Sequence, residues 1–260
     1  MSGGLMILTA ALLLPGQAPG ASDAFRQGEA ALAQRDHDKA IAWFSEAIRL
    51  DPQSADAYAK RATAHGSKGE DQRALADCTE ALRLNPQHVL AHVNRAALYL
   101  RSGEHDKAFA DCTEAVRLDP KNAGALNNRA VAYFGKGDFD QAIASWSEVL
   151  RLDPKDTQAY RNRSAAYLAK GDNAKALADC TEAIRLEPKN AGTYNWRGLT
   201  CCRAGAYDKA IPDFTEAIRL EPREARYYAN RATAYRVLGL FSSAEEDGRK
   251  MRELTEGGSK

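Results

Sequence analysis

The sequence lacks a charge excess and a long apolar run, and each absence excludes a class of protein. Among its 260 residues, 36 are Lys or Arg and 35 are Asp or Glu, which leaves a net charge of +1. Nucleic-acid-binding domains usually carry a clear basic excess, so we expect no nucleic-acid partner. No stretch approaches the roughly 20 consecutive apolar residues that a membrane-spanning helix needs. We therefore expect no membrane span in the mature chain.

The sequence also lacks the motifs of common catalytic and metal sites. It contains no Gly-rich phosphate loop, no G-x-S-x-G and no H-E-x-x-H. Its 5 histidines are scattered, and the close pair His88 and His92 has no acidic or thiol third ligand. We predict a protein that is not an enzyme and that binds no metal and no cofactor.

Cysteine is scarce and odd in number, so at least one of the 5 thiols is unpaired within the chain. There is no C-x-x-C motif of the kind that binds zinc or exchanges disulfides. Cys78, Cys112 and Cys180 recur in the same phrase, ADCTEA. A cysteine that returns in register on a helix is more often a small buried packing residue than a reactive one. We predict that these three pack in the core.

The N-terminus differs in composition from the rest of the chain. Leu5 to Leu14 reads LMILTAALLL, and Pro15-Gly16 and small residues follow up to Ala21. This length suits the apolar part of a secretory signal, although Met1 to Gly4 contains no Lys or Arg. We predict that residues 1–20 are a signal peptide and that the protein is exported, either periplasmic or secreted. The alternative is a flexible apolar N-terminus on a cytoplasmic protein.

What the sequence does contain is a repeat of 34 residues, marked by three residue types that keep the same interval. Self-similarity at such a period indicates stacked supersecondary units. The markers divide the chain into repeats 1 to 7, which are 21–54, 55–88, 89–122, 123–156, 157–190, 191–224 and 225–258. The marker prolines are Pro52, Pro86, Pro120, Pro154, Pro188 and Pro222, and the marker glycines are Gly69, Gly103, Gly137, Gly171, Gly205 and Gly239. The marker alanines are Ala40, Ala74, Ala108, Ala142, Ala176, Ala210 and Ala244.

Each repeat is predicted to be a helical hairpin. In repeat 4 we expect a first helix over Ala123 to Gly135 and a second over Gln141 to Leu152, with Gly137 in the turn. The apolar residues of the second helix follow the i, i+3, i+4, i+7 spacing of one buried stripe. Pro154 ends that helix, because proline cannot continue a helix and pushes its predecessor out of helical geometry.

A 34-residue helix–turn–helix with alanine and proline at these places resembles the tetratricopeptide repeat family over nearly the whole chain after residue 20. The resemblance implies an all-α fold, a right-handed α-solenoid of about seven repeats that forms one domain, 21–258. It also implies that the first helices line an inner, concave wall and that the second helices lie outside. Repeat 1 departs with Arg35 at the turn glycine, and repeat 7 departs with Gly248 and Glu256. We attribute these departures to the ends of the stack, where a terminal repeat needs a polar outer surface.

An arginine occupies the seventh position of every repeat but the first, and a carboxylate usually follows 16 residues later on the second helix. The arginines are Arg61, Arg95, Arg129, Arg163, Arg197 and Arg231, and the later residues are Asp77, Asp111, Ser145, Asp179, Asp213 and Asp247. Repeat 1 lacks both members, with Gln27 and Trp43. This joint presence predicts an ion pair between the two helices of a hairpin, a role that suits arginine. Arg129 faces Ser145, so it is either structural or a ligand-binding residue.

The sixth position of each repeat is predicted to face the inner wall, and it is mostly asparagine. An asparagine amide donates and accepts hydrogen bonds at once, so a row of them can hold an extended peptide backbone. Asparagine is also common at this place in the family, which keeps a structural reading open. The candidate peptide-binding residues are Lys60, Asn94, Arg101, Asn127, Asn128, Arg161, Asn162, Asn195, Arg203 and Asn230.

The predicted inner wall has a basic balance although the chain is nearly neutral. Arg26, Arg226 and Arg236 add to the basic candidates, and only Glu29 and Asp56 oppose them. Such a wall favours acidic peptides or peptide C-termini. We therefore predict a non-catalytic scaffold that binds extended segments of other proteins in its groove. The alternatives are an assembly part of an envelope complex, acting through its convex wall or solenoid ends, and an accessory subunit of a separate enzyme.

Overall fold

A computed structural model describes residues 20–256, and this range is built from α-helices without a strand. The predicted signal segment, residues 1–20, lies outside the described residues except for Gly20. The helices are α1 (Ala21–Ala33), α2 (His37–Leu50), α3 (Ala55–Ser67), α4 (Asp71–Leu84), α5 (Val89–Arg101), α6 (His105–Leu118), α7 (Ala123–Gly135), α8 (Phe139–Leu152), α9 (Thr157–Ala169), α10 (Asn173–Leu186), α11 (Ala191–Arg203), α12 (Tyr207–Leu220), α13 (Ala225–Val237) and α14 (Phe241–Glu256). Two consecutive helices form each repeat, which confirms the predicted all-α solenoid of helical hairpins.

The helix boundaries follow the local capping chemistry. The prediction for α7 is confirmed, whereas α8 begins at Phe139, two residues before the predicted Gln141. Asp138 caps the helix before Phe139, because its side chain accepts a hydrogen bond from the backbone N–H of Gln141.

The hairpin turns require left-handed backbone at one position. The six marker glycines have φ between +74° and +80°, a region that costs glycine little because it has no Cβ. In repeat 1 the same position is Arg35, with φ of 59°, which a non-glycine residue adopts only at a steric cost. The turn geometry is therefore common to all seven hairpins, including the one whose sequence departs.

The described residues pack as two compact units that divide within α5, one ending at Leu98 and the other beginning at Tyr99. In the first unit, Phe44 is fully buried among small residues such as Ala31 and Ala64. In the second, the largest cluster surrounds Trp146 and includes Leu126. Cys78, Cys112 and Cys180 are fully buried, which confirms the prediction that they are packing residues.

Large and small residues compensate each other between the two helices of a hairpin. Phe44 lies against Gly28, and Phe214 lies against Gly198 in the equivalent place. A Cβ atom on either glycine would lie 2.6 Å from the opposing ring, closer than van der Waals contact allows. In repeat 4 the large residue is Trp146, and its smaller partner at the position of those glycines is Ala130. The hairpin spacing thus tolerates one bulky side chain only where its partner is small.

We predict that Gly198→Ala destabilises the protein although alanine is the better helix former. Overpacking against Phe214 costs about 1–3 kcal/mol, more than the roughly 1 kcal/mol that alanine gains in a helix. Gly248→Ala is the matched control, because its Cβ would lie an ordinary 3.8 Å from Arg252. Chemical denaturation should show a lower free energy of unfolding for Gly198→Ala and a higher one for Gly248→Ala. Equal changes in both variants would contradict the packing argument.

Arginines at the seventh repeat position join the two helices of a hairpin and also reach the preceding repeat. In repeats 2, 5, 6 and 7 the guanidinium donates through Nε and Nη2 to both carboxylate oxygens of the predicted aspartate, at 2.7–2.9 Å. Nη1 donates to a hydroxyl on the second helix of the repeat before, as Arg163 does to Ser147 at 2.9 Å. The hydrogen bonds to Asp179 raise the pKa of Arg163 above its ordinary value. The predicted ion pair is confirmed in these four repeats, and we call this three-way contact the arginine staple.

We predict that Asp179→Ala lowers the free energy of unfolding by about 3 kcal/mol, because it leaves Arg163 half-buried without its carboxylate. The side chains of this pair are only 18% and 8% exposed, so water replaces the lost contact poorly. Glu182→Ala is the matched control on the same helix, since it removes an exposed ion pair with Arg185. Exposed pairs contribute little, so Glu182→Ala should leave the denaturation curve nearly unchanged. An unchanged curve for Asp179→Ala as well would refute the staple.

Candidate peptide-binding surface

The first helices of adjacent repeats form the inner layer of each unit. Besides the contacts along the chain, α1 contacts α3 in the first unit, and α11 contacts both α9 and α13 in the second. Among the described residues, the second helices of adjacent repeats make no contact as extensive as these. First helices are therefore closer together than second helices, which is the arrangement of a concave inner side. The candidate residues all lie on these first helices.

Two asparagines at the sixth position hydrogen-bond to the first helix of the preceding repeat. Asn94 donates through Nδ2 to the carbonyl of Ala59, at 3.2 Å, and to Oγ1 of Thr63, at 2.8 Å. Asn230 donates through Nδ2 to Oδ1 of Asn195, at 2.7 Å. These asparagines use amide N–H groups in hydrogen bonds that join one repeat to the next. Part of the asparagine row on the inner wall therefore has a structural role.

Asn162 and Asn128 are the other two asparagines at the sixth position. The Oδ1 of Asn162 accepts a hydrogen bond from Gln158 Nε2 at 2.8 Å, and its amide N–H groups have no acceptor within the described range. Asn128 lies half-buried at the equivalent place on α7. Asn162 therefore has amide donors available to a ligand.

Asn127 has a role that the sequence analysis missed. Its Oδ1 accepts a hydrogen bond from the indole Nε1 of Trp146, at 3.0 Å, across the hairpin of repeat 4. A buried indole N–H needs an acceptor, so Trp146 itself was the signal that a nearby polar residue would be engaged. The structure thus places Asn127 in the support of the core rather than on an open wall.

Trp196 replaces asparagine at the sixth position of repeat 6 and forms a platform with Arg161. The indole Nε1 donates to Ser164 Oγ at 2.8 Å, which fixes the ring against the preceding repeat. The Arg161 guanidinium lies 5.9 Å from the ring centroid, within the range of a cation–π contact. Its Nε is buried without a hydrogen-bond partner. The residues best placed to contact a ligand are therefore Arg161, Trp196 and Asn162, which follows Arg161 in the sequence.

Several basic candidates carry an acidic neighbour that reduces their charge. Lys60 forms an ion pair with Glu29 at 3.0 Å. Among the other basic residues of the predicted wall, Arg26 pairs with Asp23, and Arg226 lies 3.5 Å from Glu224. The net basic character of the inner layer is therefore weaker than a count of its arginines suggests.

Two candidate arginines lie at the ends of first helices. Arg203 is exposed at the end of α11 and forms no ion pair in the part of the chain that the structure describes. Arg101 is exposed at the end of α5. Both residues are exposed, and Arg203 is accessible to a ligand carboxylate.

The described residues show no chemistry of a metal or thiol site. No group of three His, Cys, Asp or Glu within residues 20–256 is arranged to hold a metal ion. Burial raises the pKa of the Cys112 thiol to about 12 and that of Cys201 to about 11, so both stay protonated at neutral pH. No helix in this range is both long and apolar enough to cross a bilayer.

The last hairpin turn exposes an apolar cluster that the sequence analysis did not anticipate. Val237, Leu238, Leu240 and Phe241 are 55%, 41%, 48% and 64% exposed. The signal was present, because other turns carry polar residues such as Lys136 and Asp138 at the places of Leu238 and Leu240. We call these four residues the apolar end turn.

Comparison with known proteins identifies the family of these hairpins. Models described as tetratricopeptide repeat match residues 59–123, 127–191 and 191–224, and one described as TPR repeat matches residues 28–69. No similar sequence is found among curated proteins.

Solved structures share the fold at low sequence identity. A tetratricopeptide repeat protein from Parabacteroides merdae is 19% identical, with a TM-score of 0.70 over 90% of this chain and 93% of that one. PilW, a type IV pilus biogenesis factor, is 20% identical, with a TM-score of 0.70 over 76% and 92% of the two chains. YrrB, a TPR protein with an unusual peptide-binding site, is 21% identical, with a TM-score of 0.56 over 69% and 92%. The 34-residue period, the hairpin geometry and these matches agree, and the chain belongs to the tetratricopeptide repeat family.

Proposed function

We propose that the protein is an adaptor that binds extended peptide segments of other proteins on its inner layer. Repeats of this family form protein-interaction scaffolds, and this chain has their fold. The observation that carries the finer proposal is the group formed by Arg161, Asn162 and Trp196 on α9 and α11. YrrB, which shares the fold, has a peptide-binding site, so such a use suits the architecture.

The group combines the interactions that an extended peptide needs. Asn162 offers amide donors to peptide carbonyls, and each such bond contributes about 0.5–1.5 kcal/mol. Trp196 offers an aromatic face held in place by Ser164, so little side-chain entropy is lost on binding. Arg161 supplies a fixed positive charge, which favours a segment with acidic side chains or a C-terminal carboxylate.

We predict that Arg161→Gln with Asn162→Ala weakens peptide binding by tenfold or more, because about 1.4 kcal/mol corresponds to tenfold. Peptides selected from a random library on the wild-type protein provide the ligands, and fluorescence polarisation measures their dissociation constants. Neither substitution removes a hydrogen bond between repeats, so the circular dichroism spectrum and the unfolding curve should be preserved.

The matched control removes an exposed ion pair from an outer helix, with Glu182→Ala and Arg185→Ala on α10. Its peptide affinity should equal that of the wild type. Equal affinities for the inner-layer variant, or a library that yields no binder, would contradict the adaptor proposal.

The second candidate is an assembly part that acts through the end of its stack. The apolar end turn favours it, because monomeric proteins rarely expose several large apolar side chains side by side. We predict that Leu240→Ser with Phe241→Ser abolishes concentration-dependent association in light scattering, whereas the wild type associates. A wild-type chain that stays monomeric at the highest concentration would contradict self-assembly through this turn.

A further inference from the structure

The arginine staple is a receptor of fixed geometry for one carboxylate group. In repeats 2, 5, 6 and 7 two N–H groups of the guanidinium hold both oxygens of an aspartate at 2.7–2.9 Å. The arginine side chains are only 17–28% exposed and the aspartates 6–8%, so each pair is largely shielded from water. Charge-assisted bidentate pairs of this kind are short and directional.

Repeat 4 contains the arginine of this receptor without its carboxylate. Ser145 occupies the position of the aspartate and is buried, at 4% exposure. Arg129 Nε, the atom that donates to the aspartate in the sibling repeats, is buried and has no hydrogen-bond partner. No ion pair to Arg129 occurs within residues 20–256. Because arginine cannot lose its proton in a protein, this position keeps a half-buried positive charge that nothing in its own hairpin neutralises.

We propose that Arg129 binds a carboxylate that comes from outside the chain, in the role that aspartate has in the sibling repeats. The planar fork of a guanidinium matches two carboxylate oxygens, which favours this group over a halide ion. Arg129 is partly buried and not fully enclosed, so part of the residue contacts solvent. Serine is shorter than aspartate, so Ser145 does not reach as far toward the arginine as the aspartates of the sibling repeats do.

This site is separate from the peptide-binding group on the inner layer. Arg129 stands at the seventh repeat position, whose siblings contact the second helices, whereas Asn162 and Trp196 stand at the sixth. Loss of one activity would therefore leave the other measurable.

Sodium formate is the probe that tests the proposal, because it is the smallest carboxylate. The arginine Nε–H signals of the folded protein are followed by nuclear magnetic resonance, with sodium chloride at equal ionic strength as the reference. We expect a saturable shift of the Arg129 signal with formate and not with chloride. An Arg129→Gln variant assigns the signal by its disappearance.

Two variants of the same staple serve as matched controls. Ser145→Asp supplies the carboxylate within the chain, so it should abolish the formate response and raise the midpoint of thermal unfolding. Asp179→Ser creates the same vacancy beside Arg163, so that signal should gain a formate response that the wild type lacks. A response equal to that of chloride, or one that persists in Ser145→Asp, would overturn the proposal even if Asp179→Ser failed to fold.

The source of the carboxylate follows from three further probes. N-acetyl-aspartate amide presents a side-chain carboxylate, N-acetylglycine presents a chain terminus, and acetate presents a free acid. Tightest binding of the first or second indicates an acidic side chain or a C-terminus of a partner protein. Equal binding of all three indicates a site for small organic acids. Failure of all three to compete with formate would contradict a carboxylate receptor.

Discussion

The arginine staple is the interaction on which the rest of the structure depends. One side chain closes a hairpin through two bonds to an aspartate and reaches the preceding repeat through a third, as Arg231 does with Asp247 and Thr215. A single hairpin cannot bury its apolar face, so a contact that also sets the distance between hairpins stabilises the stack as a whole. In a stack, each repeat packs against its neighbours, so the same contact recurs instead of one central core. A departure at one repeat, such as Ser145, therefore changes a local site without changing the fold.

The inner layer shows how the fold limits its own binding capacity. Asn94 and Asn230 use amide donors to join repeats, and Lys60 is paired with Glu29. The polar groups and the aromatic face that are still available to a ligand lie near Trp196, which interrupts the asparagine row. The apolar end turn and Arg129 also lie at places where the repeated pattern is interrupted. In this chain the regular positions maintain the solenoid, and the irregular ones are the candidates for function.

Much of the fold could be predicted, because a 34-residue period fixes which residues are equivalent. Seven hairpins, six glycine turns and the pairing of Arg163 with Asp179 follow from comparing equivalent positions along one chain. The period could not predict that Asn127 would hold the Trp146 indole, because this contact exists in one repeat alone. The role of a side chain that occurs in one repeat alone depends on its tertiary contacts, and comparison with the other repeats cannot predict these contacts.

A double-mutant cycle on Arg163 and Asp179 tests the central claim most directly. The unfolding free energies of the wild type, Arg163→Ala, Asp179→Ala and the double variant give the coupling between the two side chains. The staple predicts a coupling of about 1.5–3 kcal/mol, because the pair is bidentate, charge-assisted and largely shielded from water. A coupling near zero, with the two single losses simply adding, would show that the pair does not hold the hairpin together.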